Sequence, residues 1–157
     1  MPIDILTVIH VVISVFAIGM GFVVASDFLD GRVARGHNAL FLLATFATSA
    51  TGFLFPFRGA TPAFVFGVIS IAVIAVAGFA ICAKGLSGKW KVVYVLFAII
   101  AFYLNAFVLV AQGFQKFPSF AALAPTQQSP WFLGAETLLL IVFLATGAGA
   151  VRRMRRA

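Results

Sequence analysis

His10, Asn105, Gln112 and Glu136 are polar side chains set inside long apolar runs, and Arg58 stands in a short loop beside one of those runs. Ionisable groups in an apolar interior are costly unless paired, so inside a membrane segment they are candidates for function. An imidazole, a carboxyl group and two amides converging from different helices would serve a quinone or another lipophilic ligand, which needs an apolar cleft and one or two polar contacts. The same groups would also serve as a proton site. The structural alternative is that Glu136 hydrogen-bonds His10 or Asn105 and so joins helices in lipid.

Other chemistries find little footing. Cys82 is the single cysteine, which excludes an intrachain disulfide and a cysteine-cluster metal site; it is expected as a small buried residue. His10 and His37 raise the question of haem ligation. His10 falls near the outer face of the membrane and His37 at the cytoplasmic start of the second helix, about 24 Å apart along the membrane normal by helical rise, so one haem within a protomer cannot join them. Zinc-hydrolase, P-loop and Rossmann patterns are absent, and no Ser, His and Asp set stands out. No catalytic or metal-binding residue is assigned, and the chain is expected to be non-enzymatic.

The elements that must position these residues follow from composition. Of 157 residues, 63% are hydrophobic and 10% charged, whereas about a quarter of a soluble domain is charged. A bilayer-crossing helix needs about 20 mainly apolar residues. Five stretches qualify: Ile5 to Ser26, Ala39 to Phe57, Pro62 to Ala83, Val92 to Gly113 and Trp131 to Val151. The chain therefore reads as one all-α membrane domain, a bundle of five antiparallel helices with no soluble domain attached. The opening MPID supplies no basic segment of the kind that starts a signal peptide, so the first run is expected to be a retained helix.

Charge placement orients the bundle. Arg32 and Arg35 lie between the first and second runs, Lys84, Lys89 and Lys91 between the third and fourth, and Arg152, Arg153, Arg155 and Arg156 after the fifth. Arg58 and Lys116 are left for the other side. Short loops rich in Lys and Arg stay in the cytoplasm, so the amino terminus is expected outside and the carboxy terminus inside. The net charge of +7 is explained by this asymmetry and calls for no nucleic acid; the arginine tail also suits anionic lipid.

Within this frame His10 and Glu136 each lie five residues inside their helices, about 7 to 8 Å below the external boundary. Asn105 lies about 12 Å deep, with Gln112 nearer the surface. The predicted cluster of His10, Asn105, Gln112 and Glu136 opens toward the outer leaflet, with Arg58 approaching from the neighbouring loop.

Packing seams are legible too. His10, Ser14, Ala17 and Gly21 share one stripe of the first helix, and Glu136, Leu140, Phe143 and Gly147 share one of the fifth. Small residues let helices approach closely in lipid. Thr45, Thr48 and Ser49 make the second helix the richest in hydroxyls, and such groups usually bond back to the backbone or across to a neighbour. Pro56 is expected to end that helix, Thr61 to cap the third and Pro62 to open it. The third helix carries no charge and is expected to face lipid or to be structural. Asp27, Asp30, Arg32 and Arg35 are placed in a polar loop facing the cytoplasm, His37 near an interface, and Trp90 and Tyr94 as headgroup anchors. Phe120 to Ala124, between two prolines, is expected to form one interfacial turn.

The runs TGFLFPF (Thr51 to Phe57) and YLNAFVLVAQGFQKFPSFAALAPTQ (Tyr103 to Gln127) resemble those of small, uncharacterised bacterial inner-membrane proteins with four or five helices. The first half, with His10 in one helix and His37 before the next, is broadly similar to a group of unknown function. The resemblance implies a bacterial source and inner-membrane location, and brings no activity or functional residue with it. The function expected from these readings is an accessory or interaction subunit, paired with another membrane subunit or with itself. A quinone- or lipid-binding redox module comes second, and a transporter or channel component third.

Overall fold

The computed structural model describes residues 5–56 and 62–156, and among them the only regular structure is helix. The elements are α1 (Ile5–Leu29), α2 (Arg35–Gly52), α3 (Pro62–Gly78) continued by a π-helical turn (Phe79–Ala83), α4 (Lys89–Lys116), the short α5 (Pro118–Leu123) and α6 (Pro130–Arg156). In an apolar setting a helix is favoured because it satisfies its backbone groups within one segment. Among the described residues, four helical stretches are long and apolar enough to cross a membrane: Ile5–Leu29, Phe64–Ala83, Lys89–Lys116 and Pro130–Arg156.

The expected α2 differs from the observed one. It begins four residues earlier, at Arg35, and stops at Gly52 rather than at Pro56. Its first turn therefore holds Arg35, His37 and Asn38, which lowers its apolar character and leaves it outside the four. At its far end the Phe53 amide reaches back to the Ser49 and Ala50 carbonyls, at 3.3 and 3.2 Å, and the chain leaves the helix there. Phe57 and the expected cap Thr61 lie outside the described residues. The third helix was expected to be regular to Ala83; instead its last turn widens, with the Lys84 amide on the Phe79 carbonyl at 3.2 Å.

The helices form a ring in which α2 packs on α1 and α3, α3 on α4, α4 on α6, and α6 back on α1. Helix α4 also reaches α1 and is the most deeply buried of the four apolar stretches. The core gathers around it: Val24 and Phe28 from α1, Phe41 from α2, Tyr94, Ala98 and Phe102 from α4, Phe143 and Met154 from α6. Small residues set the spacing, as expected. Ala17 is fully buried, and a Cβ added at Gly21 would overlap the Phe102 ring. Phe102 packs edge-on against Phe22, Phe41 and Phe143, so it cannot retreat freely.

Other expectations need correction. Tyr94 is fully buried rather than anchored at a headgroup surface, because Asn38 and Phe28 enclose it. Cys82 is exposed, on the widened turn. On α6 the stripe Glu136, Phe143 and Gly147 is buried, but Leu140 turns outward. The turn expected near Phe120 is present as α5, with Phe120 and Leu123 exposed.

Candidate functional site

Helix α2 is the polar member of the bundle, and its polar side chains tie it to two neighbours. Asn38 lies one turn into α2, where its Nδ2 donates to the Ala34 carbonyl at 2.7 Å and its Oδ1 accepts the Tyr94 hydroxyl at 2.5 Å. Seven residues on, and so on the same face, the fully buried Thr45 accepts a hydrogen bond from Asn105 Nδ2 at 3.1 Å. Asn38 and Thr45 thus bind α2 to α4 at two levels.

Thr51 binds α2 to α1. Its hydroxyl donates back to the Ala47 carbonyl at 2.8 Å, with the Thr48 carbonyl at 3.1 Å, and His10 Nδ1 lies 2.9 Å from the same oxygen. The threonine hydrogen is engaged with the backbone, so the imidazole is the donor and Nδ1 carries the hydrogen. The ring also meets Phe55 edge-on at 5.3 Å. Ser14 donates to the His10 carbonyl at 2.6 Å, a local bond of the kind hydroxyls make in apolar helices.

At the opposite end of α1 a second polar group forms that sequence reasoning missed. Asp27 was expected in a solvated loop. It lies in the last turns of α1 with 2% of its side chain exposed, because both oxygens have partners: Arg32 Nη2 at 2.8 Å on Oδ1 and His37 Nδ1 at 2.7 Å on Oδ2. The Arg32 amide closes the turn on the Asp27 carbonyl at 3.0 Å, with Gly31 at φ 77° between them. An acid at the end of an apolar run, followed by Arg and then by His-Asn at a helix start, was the available signal. The two partners lie in the connection to α2 and in its first turn, while the acid is covered by the bundle.

Of the expected outer cluster, the structure brings His10 to Thr51 and Asn105 to Thr45, and neither to Glu136. Gln112 is half-buried on α4. Arg58 lies outside the described residues. Glu136 is 8% exposed, and among the described residues neither of its carboxyl oxygens has a hydrogen-bond partner. The expected bond from Glu136 to His10 or Asn105 is not made; Nδ1 of His10 and Nδ2 of Asn105 turn instead to hydroxyls of α2.

Glu136 sits in an aromatic seam between α4 and α6. One turn toward the start of α6, Phe132 packs on Phe114 at 5.7 Å and joins a small core with Ala111 and Ala124. Two turns the other way, Phe143 packs on Phe102 and Tyr103 at 4.8 and 5.6 Å. An open cleft of about 480 Å³ lies between the end of α4, α5 and the start of α6, lined by Phe114, Gln115, Ala121, Pro125, Gln127 and Phe132 among others. His10, Asn105, Gln112 and Glu136 are not among the residues that line it.

No family model, curated protein or solved structure matches this chain.

Proposed function

We propose that this chain is a non-enzymatic accessory or interaction subunit of a bacterial inner-membrane complex. The observation that carries this reading is the use of its polar side chains: Asn38, Thr45, Thr51, His10, Asn105 and Tyr94 bond one helix to the next. A bundle held in this way is a scaffold whose remaining surface is apolar and available for association. The bacterial setting rests on the resemblance carried by the runs Thr51 to Phe57 and Tyr103 to Gln127.

Five crossings, with the amino terminus outside and the carboxy terminus in the cytoplasm, fit this role. Helix α2 has 18 residues, about 27 Å by helical rise, against a hydrocarbon thickness of about 30 Å. Its polar side chains Asn38 and Thr45 are buried, while Leu40, Leu43 and Phe46 are exposed, which is the division a lipid-facing helix requires. With α2 crossing, Arg32, Arg35, Lys84, Lys89, Lys91 and the arginines ending α6 all fall on one side, which the positive-inside rule makes cytoplasmic.

The quinone-binding alternative has less support, since Nδ1 of His10 is engaged by Thr51 and the cleft beside α5 includes neither His10 nor Glu136. The test is extraction of a tagged chain from its own membrane in mild detergent. A fixed second membrane polypeptide at constant stoichiometry is expected; recovery of the chain with lipid alone would oppose the reading.

A further inference from the structure

We propose that Glu136 is a proton-binding site, reached from the cleft beside α5 past the Phe132 ring. Three observations converge on it. The carboxyl group is more than nine-tenths buried, and both of its oxygens lack a partner among the described residues. It lies in a seam whose packing on either side is aromatic: Phe114 and Phe132 toward one end, Phe102, Tyr103 and Phe143 toward the other. Phe132, one turn away on the same helix face, is itself a wall of the open cleft.

A charged carboxylate in that seam would lose its hydration with no donor from the described residues in its place, whereas the neutral acid fits. A bulky ligand or a partner's side chain cannot reach oxygens covered on all sides, so the occupant that matches the space is a proton. Release is the simple step in which the carboxyl O–H bond breaks, the electron pair stays on the carboxylate, and water entering from the cleft takes the proton. It requires Phe132 to move aside.

The titratable groups on the helices packed against α6 at this end are few. Helix α4 brings Tyr103 and Lys116. Helix α1 brings His10, whose Nδ1 is bonded to Thr51. No described cation pairs with the carboxyl group.

Glu136 is the only glutamate in the sequence, so glutamate labelled with ¹³C at its carboxyl carbon reports on this one site in the unaltered chain. The infrared spectrum of the protein in lipid vesicles near neutral pH is expected to hold a carboxylic acid C=O band that moves on labelling. A label-sensitive carboxylate band in its place, as an ion pair with a cation such as Arg58 would give, overturns the proposal.

A second readout is covalent. Dicyclohexylcarbodiimide, which is apolar, takes up the acid across a C=N bond: the carboxyl oxygen bonds to carbon and the proton goes to nitrogen. Migration of the acyl group to nitrogen then leaves a stable acylurea on Glu136. This reagent is expected to label Glu136, while a water-soluble carbodiimide labels it little until Phe132→Ala raises that labelling several-fold. Equal labelling by both reagents in the unaltered protein, or no change in Phe132→Ala, overturns the buried site or its access route.

Discussion

The Tyr94 hydroxyl donates to Oδ1 of Asn38 over 2.5 Å, and both side chains are fully buried. This bond joins α2 to α4 beside the Asp27 group, so it holds the α1–α2 connection against the most buried helix. Tyr94→Phe strands the Asn38 oxygen and is expected to cost about 1 to 3 kcal/mol, the penalty of an unmet buried acceptor. Asn38→Leu combined with Tyr94→Phe should cost less than the two single changes together, a coupling of about 0.5 to 3 kcal/mol. Reversible unfolding in mixed detergent micelles measures both; strict additivity would mean that the bond contributes nothing.

Gly21 and Phe102 are in contact so close that no side chain fits between them. Gly21→Ala is expected to destabilise the bundle by about 1 to 3 kcal/mol, the usual range for overpacking. Combining it with Phe102→Leu should recover part of the loss. Gly19→Ala, two residues away where a Cβ would meet nothing within 4 Å, should leave the unfolding midpoint nearly unchanged. Equal effects at the two glycines would contradict the packing described.

Asp27 fastens the chain between α1 and α2 through Arg32 and His37. Arg32 is 64% exposed, so solvent weakens that pair, and the loss in Asp27→Ala is expected to be local more than global. Trypsin cleavage after Arg32 and Arg35 should accelerate in Asp27→Ala while the helix content stays near that of the parent. An unchanged cleavage rate would show that the loop is held by other contacts.

Cys82 is the single thiol of the chain and is exposed two residues before Lys84. If the carboxy terminus lies in the cytoplasm, as proposed, a membrane-impermeant maleimide is expected to label it in inside-out vesicles and not in intact cells. The reverse pattern would invert the topology, and with it the side to which Glu136 is nearest.

The helices were legible because an apolar run of about 20 residues has few other ways to satisfy its backbone. The seam at Ala17 and Gly21 was legible for a similar reason, since small residues at helical spacing mark close approach. The pairing of polar groups was not. His10, Asn105 and Glu136 lie at similar depths, which made a common cluster attractive, but depth says nothing about rotation around the ring. Helix α2 brings Thr51 to His10 and Thr45 to Asn105, and Glu136 is left buried without a partner among the described residues. Asp27 was misplaced because its charge argued for water, while the partners that allow its burial lie five and ten residues further on.

Association with a second subunit is tested most directly by native mass spectrometry of the chain released from its own membrane under gentle conditions. A 16.7 kDa chain found in a complex of fixed mass with a second polypeptide is the predicted result. A bare monomer across the range of detergents that preserve its fold would contradict the subunit role.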